Sequence, residues 1–401
     1  MSRLLCLVRR MLFAAGLSLL CGAAHAQTAP ARPDKAAARA EAGPIVVQDA
    51  LGRSVTLPRA AQRVVLAQAR HLPVLALLHP DPVSILVGWS DEFKTSFSSD
   101  YQEYLKVFPA IADVAVVGRH TADTFSLEKS LALRPDLIVL TASFAGILPG
   151  QDPDTSPLIR SFQAADVPVV VVDFFIDPLK NTVPSLKALG QAIGRQEQTE
   201  SLIRFYQERM QRVAERIATL DEKSKPPVFV HAHAGTTDCC NSPGTGTFNN
   251  MISYAGGHNI GADAIRNATG RLSLEYITSR NPKVYVATGT GAKERLGTGL
   301  TIGSGASLAD ARASLRRVLA ANRLTGLAAI RTGNAHGIWH AFNDSPLHVI
   351  FIEALASWLH PELFKDVSPQ ASLDEVNERF LTVPMKGVYM VDLPPAENGK
   401  P

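Results

Sequence analysis

Two histidines spaced two apart, His231 and His233, and an adjacent cysteine pair, Cys239 and Cys240, are the residues of this chain best placed to do chemistry. On a strand, residues two apart point to one face, so both imidazoles can reach one metal ion. A bare metal site needs three or four protein ligands. His71, His120 and His340 are available to complete one, on segments whose convergence the sequence leaves open. Polar lining of a cleft and a structural role are the alternatives for the pair. The cysteines can form a disulfide, contact a ligand or metal, or stay as thiols. A disulfide normally separates its Cα atoms by about 4.4–6.8 Å, whereas neighbours across a trans peptide sit about 3.8 Å apart, so a vicinal bridge is possible but strained.

Catalytic patterns are missing. Gly244-Thr-Gly246 and Gly289-Thr-Gly291 lack the third glycine and the acidic partner of a dinucleotide fingerprint. There is no Gly-Lys-Ser/Thr phosphate loop and no nucleophile elbow, and His, Ser and Asp fall in no catalytic spacing. The chain reads as a binder and not as an enzyme.

The elements that must position these residues are strands alternating with helices. Arg63–Ala67, Val83–Val87, Asp136–Leu140 and Val167–Val172 read as buried strands of a largely parallel sheet, and Val228–His231, Lys283–Ala287 and Gly337–His340 repeat the rhythm. Helices are expected over Pro346–Leu359 and Leu373–Leu381. Between the two groups, apolar residues at Ile203, Tyr206, Met210, Val213, Ile217 and Leu220 predict an amphipathic helix over Gln196–Leu220, about 36 Å long, with a shorter piece breaking at Gly194 before it. In open α/β sheets ligands collect at the carboxyl ends of strands. The loops there offer Gln68, Arg70 and His71; Trp89; Arg119 and His120; Phe144; His231, His233 and the cysteine pair; and Trp339, His340 and Phe342. Each also has a bland reading, surface for an arginine or core for Trp89 and Trp339.

The first 26 residues read as a secretory leader: Arg3, Arg9 and Arg10, an apolar stretch from Met11 to Gly22, and Ala24-His25-Ala26 as a small-x-small cleavage site, with the cut after Ala26. The apolar run is too short to span a bilayer of about 30 Å, and Leu20 before Cys21 argues against a lipid anchor. The formal charge of +3 belongs to the leader, since its three arginines reduce the 40 basic residues to 37, against 37 acidic. A mature chain without net charge or basic blocks gives no support for nucleic acid as a partner. Cys6 and Cys21 leave with the leader, so only the adjacent pair enters an oxidising compartment. Residues 27–43 are rich in Ala and Pro and read as a disordered spacer. About 375 mature residues exceed one core, so two lobes are expected: 44–180, a helical connection over 181–222, a second lobe over 223–392, and a tail over 393–401.

The lobes share a repeat. Ser126-Leu-Glu-Lys-Ser-Leu-Ala-Leu-Arg-Pro-Asp-Leu-Ile-Val-Leu-Thr-Ala142 aligns without gaps on Ser273-Leu-Glu-Tyr-Ile-Thr-Ser-Arg-Asn-Pro-Lys-Val-Tyr-Val-Ala-Thr-Gly289. Each has a capping Ser, a Pro that ends the helix, and a strand. With Asp49-Ala-Leu-Gly-Arg-Ser-Val-Thr-Leu-Pro58, Arg63-Val-Val65, Asn249-Asn-Met-Ile-Ser-Tyr-Ala-Gly-Gly257, Ser345-Pro346 and Leu359-His-Pro-Glu-Leu-Phe364, the chain from about Val47 to Asp366 resembles the helical-backbone class of periplasmic binding proteins, which serve ferric siderophores, haem and cobalamin.

The resemblance implies two α/β lobes with largely parallel central sheets joined by one stiff helix, ligand held between them, and only small hinge motion. It implies a monomer in the periplasm that delivers an iron chelate, with Fe(III) in the cargo and no cofactor of its own, to an ABC permease dimer in the inner membrane. Haem, cobalamin, an oxyanion or a bare metal ion are alternative cargoes on the same fold, and an exported α/β protein without a transport role is the alternative function. Glu128 and Glu275, the glutamates of the two repeats, match the acidic residues that meet permease arginines; their other role is favourable charge at a helix N-terminus. For a ferric complex, arginines can pair with negative oxygens and aromatic faces can cover the organic rim. Lys283 in place of the repeat's Asp, and the cysteine pair, depart from the class pattern.

Overall fold

Four consecutive valines, Val169 to Val172, are all buried, which a strand covered on both faces permits. The computed structural model in which they lie describes residues 43–147, 150–221, 224–236, 239–290 and 298–395. The expected leader, its cleavage site, the spacer up to Ala42 and the tail beyond Pro395 lie outside the described residues.

The N-terminal lobe begins with a hairpin of β1 (Ile45–Gln48) and β2 (Ser54–Leu57). Its sheet contains β3 (Val64–Leu66), β4 (Leu86–Ser90), β5 (Ala115–Gly118), β6 (Leu137–Thr141) and β7 (Val169–Val172), in the order β5-β4-β3-β6-β7 and parallel throughout. The C-terminal lobe contains β8 (Pro227–His231), β9 (Asn241–Pro243), β10 (His258–Asn259), β11 (Thr269–Arg271), β12 (Val284–Gly289), β13 (Gly303–Ser304), β14 (Ala335–Trp339), β15 (Gly387–Val388) and β16 (Met390–Leu393). Its main sheet runs β10-β8-β12-β14-β16, with β16 antiparallel on the edge. β9 pairs with β11, and β13 with β15.

The order β4-β3-β6-β7 in one lobe matches β10-β8-β12-β14 in the other. The two Ser-Leu-Glu helices, Leu127–Ala132 and Leu274–Arg280, stand before the equivalent strands β6 and β12. Ser126 and Ser273 each cap their helix by accepting the N–H of the third residue on, at 3.1 Å. The shared motifs are largely structural. Asp49 accepts N–H groups of Leu51, Arg53 and Val171 and binds the Arg53 guanidinium, pinning the hairpin turn to β7. Asp136 accepts the N–H groups of Gln62 and Arg63, while the Arg63 side chain bonds the carbonyls of Leu133 and Arg134.

One strand lies elsewhere than the apolar run Val83–Val87 suggests. Asp81 accepts the Ser84 N–H at 3.0 Å, and the Ser84 hydroxyl returns to the Asp81 carbonyl at 2.7 Å. This turn delays β4 to Leu86–Ser90.

The connection between lobes is a bent pair of helices, Pro178–Ala192 and Gln196–Ile217, and not one straight rod. Between them Gly194 adopts φ +69°, and the Arg195 N–H closes back on the Gly190 carbonyl at 2.7 Å, a helix stop that favours glycine. The first helix is fastened to β7 of the N-terminal lobe, where Asn181 donates to Asp173 and Ser185 accepts the Asp173 N–H. The second is fastened to the C-terminal lobe through Tyr206 to His348 (2.8 Å), Arg209 to Ser372 and Glu375, and Arg216 to Asp366. At their crossing a Cβ on Gly190 would lie 1.9 Å from Thr199 Oγ1, so only glycine fits.

Candidate ligand-binding site

A cleft of about 560 Å³ opens between the lobes, lined on one side by Arg70, Glu92, Thr95, Ser96, Phe97, His120 and Phe175, and on the other chiefly by His233, Thr236, Asn241, Thr247, Phe248, His340 and Asp344. This volume suits a small organic molecule or metal chelate. Contacts that cross between the lobes here include Arg70 Nη1 to Asp344 Oδ2 at 2.7 Å and the Thr247 hydroxyl to the carbonyls of Phe175 and Ile176.

Of the residues proposed from sequence, Arg70, His120, His233 and His340 line the cleft. His233 follows the end of β8 with φ +50°, a left-handed turn that brings its ring against that of His340, centroids 3.8 Å apart. Thr288, at the end of β12, organises this pair. Its hydroxyl accepts the His233 backbone N–H at 3.1 Å and lies 2.8 Å from His340 Nδ1. Nε2 is the His340 nitrogen left for a ligand. Burial, then the neighbouring His233 and Arg70, lowers the His340 pKa well below its ordinary value, keeping the ring neutral and able to coordinate. Phe248 packs against His340 at 5.5 Å and is braced by Phe351.

The other proposed residues sit elsewhere. Trp89 lies inside β4, fully buried against Phe93 and Tyr101, because the strand starts later than its apolar run implied. Phe144 is buried against Phe125. Phe342 is enclosed with Trp339 and Tyr389. His71 is buried 6.0 Å from Phe174, and burial lowers its pKa. His231 ends β8 fully buried and stacked on Phe229, and does not line the cleft with His233. Arg119 is exposed beyond β5 and does not line the cleft. Trp339 instead closes a cavity of about 50 Å³ between the lobes with Phe93, Phe97 and Tyr104. Asp100 reaches that cavity, and burial pushes its carboxyl up to about 7. Cys239 is half-buried and Cys240 fully buried, joined as a vicinal disulfide behind the cleft wall.

The electrostatics also differ from the expectation that arginines pair with a ligand's negative oxygens. Among the described lining residues Arg70 is the one guanidinium or ammonium, and both Glu92 and Asp344 bind it. Burial would lower its pKa, but these carboxylates outweigh that and raise it. Phe97, Phe175 and Phe248 supply the apolar surface; Phe175 is 41% exposed. Sequence reasoning passed over Phe175 although it follows β7, where the strand-end rule points.

Glu128 and Glu275 are both exposed at the starts of the equivalent helices. Backbone N–H bonding at the helix start, then Ser273, holds the Glu275 carboxyl below its ordinary value.

A model of the periplasmic binding protein family matches residues 75–335. Among solved structures, the TroA-like periplasmic binding protein FepB from Veillonella parvula superposes with a TM-score of 0.80 at 25% identity, over 87% of this chain and 100% of that one. The molybdate periplasmic binding protein MolA of Haemophilus influenzae gives 0.60 at 17% identity, over 84% and 97%. A periplasmic heme binding protein from Pseudomonas aeruginosa gives 0.51 at 20%, over 84% and 100%. No curated protein matches the chain significantly.

Proposed function

Because this chain belongs to the periplasmic binding protein family of ABC importers, we propose that it captures a metal chelate, an iron complex foremost, in the inter-lobe cleft and hands it to the permease. The observation that carries this reading is the His233 and His340 pair, two imidazoles held at the cleft wall by one threonine. Imidazole nitrogens can coordinate a metal with open positions or hydrogen-bond the polar rim of a complete chelate. Phe97, Phe175 and Phe248 offer faces for its organic part. With Arg70 already paired twice, the described residues favour a chelate of low net negative charge over an oxyanion.

Native mass spectrometry after incubation with hydroxamate, catecholate and carboxylate ferric chelates, haem, cobalamin and free divalent ions tests the cargo. Micromolar or tighter retention of at least one iron chelate is expected, weakened in His233→Ala/His340→Ala. No chelate retained by the folded protein across the panel would refute the reading. Delivery rests on Glu128 and Glu275, exposed at equivalent positions of the two lobes. Changing both to Lys should abolish uptake while cargo binding persists; normal uptake would remove them from docking.

A further inference from the structure

Behind the cleft wall, one ring nitrogen of His231 and the sulfurs of Cys239 and Cys240 all lie within 4.8 Å of one another. We propose that these three residues form a second metal site, closed while the cysteines are bridged and opened by reduction to hold one thiophilic d10 cation, Zn2+ or Cu+. The imidazole is prepared for this. Its Nδ1 is hydrogen-bonded to the Tyr285 hydroxyl at 3.0 Å, while Nε2 is buried without any partner. Metal-binding histidines show the same division, one nitrogen fixed by an outer partner and the other left with a bare lone pair. Burial lowers the ring's pKa to about 4, so it stays in the neutral, ligating form.

The sulfurs supply the selectivity. Two thiolates and an imidazole favour zinc or cuprous ion over the hard cations that prefer oxygen. Around tetrahedral zinc, such ligand atoms stand about 3.5–3.8 Å apart. The two sulfurs, about 2.05 Å apart when bridged, must therefore separate by about 1.5–1.8 Å on reduction, while the His231 nitrogen draws in by up to about 1 Å. Half-buried Cys239 gives access, and the Arg271 guanidinium bonds its carbonyl at 3.3 Å.

The steps balance as follows. A dithiol reductant breaks the sulfur–sulfur bond, delivering two electrons and two protons and becoming a disulfide itself. The incoming cation then displaces the two thiol protons, keeps its own oxidation state, and takes a solvent molecule where a fourth ligand is needed. His233, Asn241 and Pro243, next to these residues in the chain, line the cleft. The site nevertheless binds independently of the cargo there.

The test uses the purified chain, reduced anaerobically with a dithiol, freed of reductant and shown to present two titratable thiols. Titration with Co2+ should give one-to-one binding with sulfur-to-cobalt charge-transfer absorption, reversed by Zn2+ and retained in His233→Ala/His340→Ala. The absorption should be missing from the oxidised protein and from Cys239→Ser, and His231→Gln should weaken binding at least tenfold. Circular dichroism confirms that each variant is folded. Reduced protein with two free thiols and no charge-transfer band would overturn the proposal. So would a His231→Gln titration superimposable on the wild type.

Discussion

Replacing Arg70 with Met removes the guanidinium that ties the two lobes across the cleft. Its side chain is 31% exposed, while those of Asp344 and Glu92 are 15% and 4% exposed. Exposed ion pairs contribute about 0–1 kcal/mol, but stranding a buried charge by deleting its partner costs about 3–5 kcal/mol. Glu92 would be so stranded, since its second oxygen is buried with no partner at all. Partial exposure of Arg70 places the cost near the lower end, about 3 kcal/mol. At about 2.1 cal/mol/K per residue over roughly 350 ordered residues, the unfolding entropy is about 0.7 kcal/mol/K, so Tm should fall by about 4 °C. Scanning calorimetry of cargo-free wild type, Arg70→Met, Glu92→Gln and the double variant measures this. Neutralising Glu92 removes the stranded charge, so the double variant should recover about half of the loss or more. A single-variant Tm within about 1 °C of wild type, or a double variant less stable than Arg70→Met, would show that the pair is not what holds this corner together.

Burial lowers the His348 pKa to about 4 while Tyr206 and Ser345 occupy both of its ring nitrogens. In the unfolded chain the same ring protonates near about 6.5, so acid below that value favours unfolding. Stability relative to His348→Gln should fall by about 1.4 kcal/mol between pH 7.5 and 5.5; a difference that is flat or rises with acid would contradict it. The comparison needs the variant because Asp100, raised to about 7, works in the opposite direction. Trp89→Ala should cost about 3–5 kcal/mol in urea melts, with cargo affinity of the folded fraction unchanged within about twofold, since the ring is core and not cleft. Phe175→Ala should do the reverse, weakening cargo about tenfold in titration calorimetry while Tm moves by less than about 1 °C.

The α/β rhythm was legible because parallel strands buried on both faces need apolar runs such as Val169–Val172. The caps at Ser126 and Ser273 are local chemistry and could be read directly. Other features depend on distant residues. Val83 and Ile85 are buried, yet they sit in a turn held by Asp81; apolar character marked burial and not strand, and that shift moved Trp89 from loop to core. β16 is only four residues long, too short for periodicity to declare it. The strand-end rule found His233 and His340, but it cannot tell an inward side chain from an outward one, so Phe144 and Phe342 were included and lie buried. The carboxylates that occupy Arg70 come from 22 and 274 residues away, so no local spacing could show that its charge was already committed.

The crossing of Gly190 and Thr199 makes cleft width something a geneticist can adjust. The first helix is fastened to the N-terminal lobe, and the second is bonded to that lobe at its start, through Arg195 to His79, before it reaches its anchor in the C-terminal lobe at His348; where they touch there is no room for a methyl group. An alanine at position 190 is therefore a wedge at the bend between the two connecting helices, and a serine a thicker one. Such a graded series would leave every lining residue in place while altering the angle at which the two walls face each other. It offers a way to ask how tightly cargo choice depends on the spacing of the walls alone.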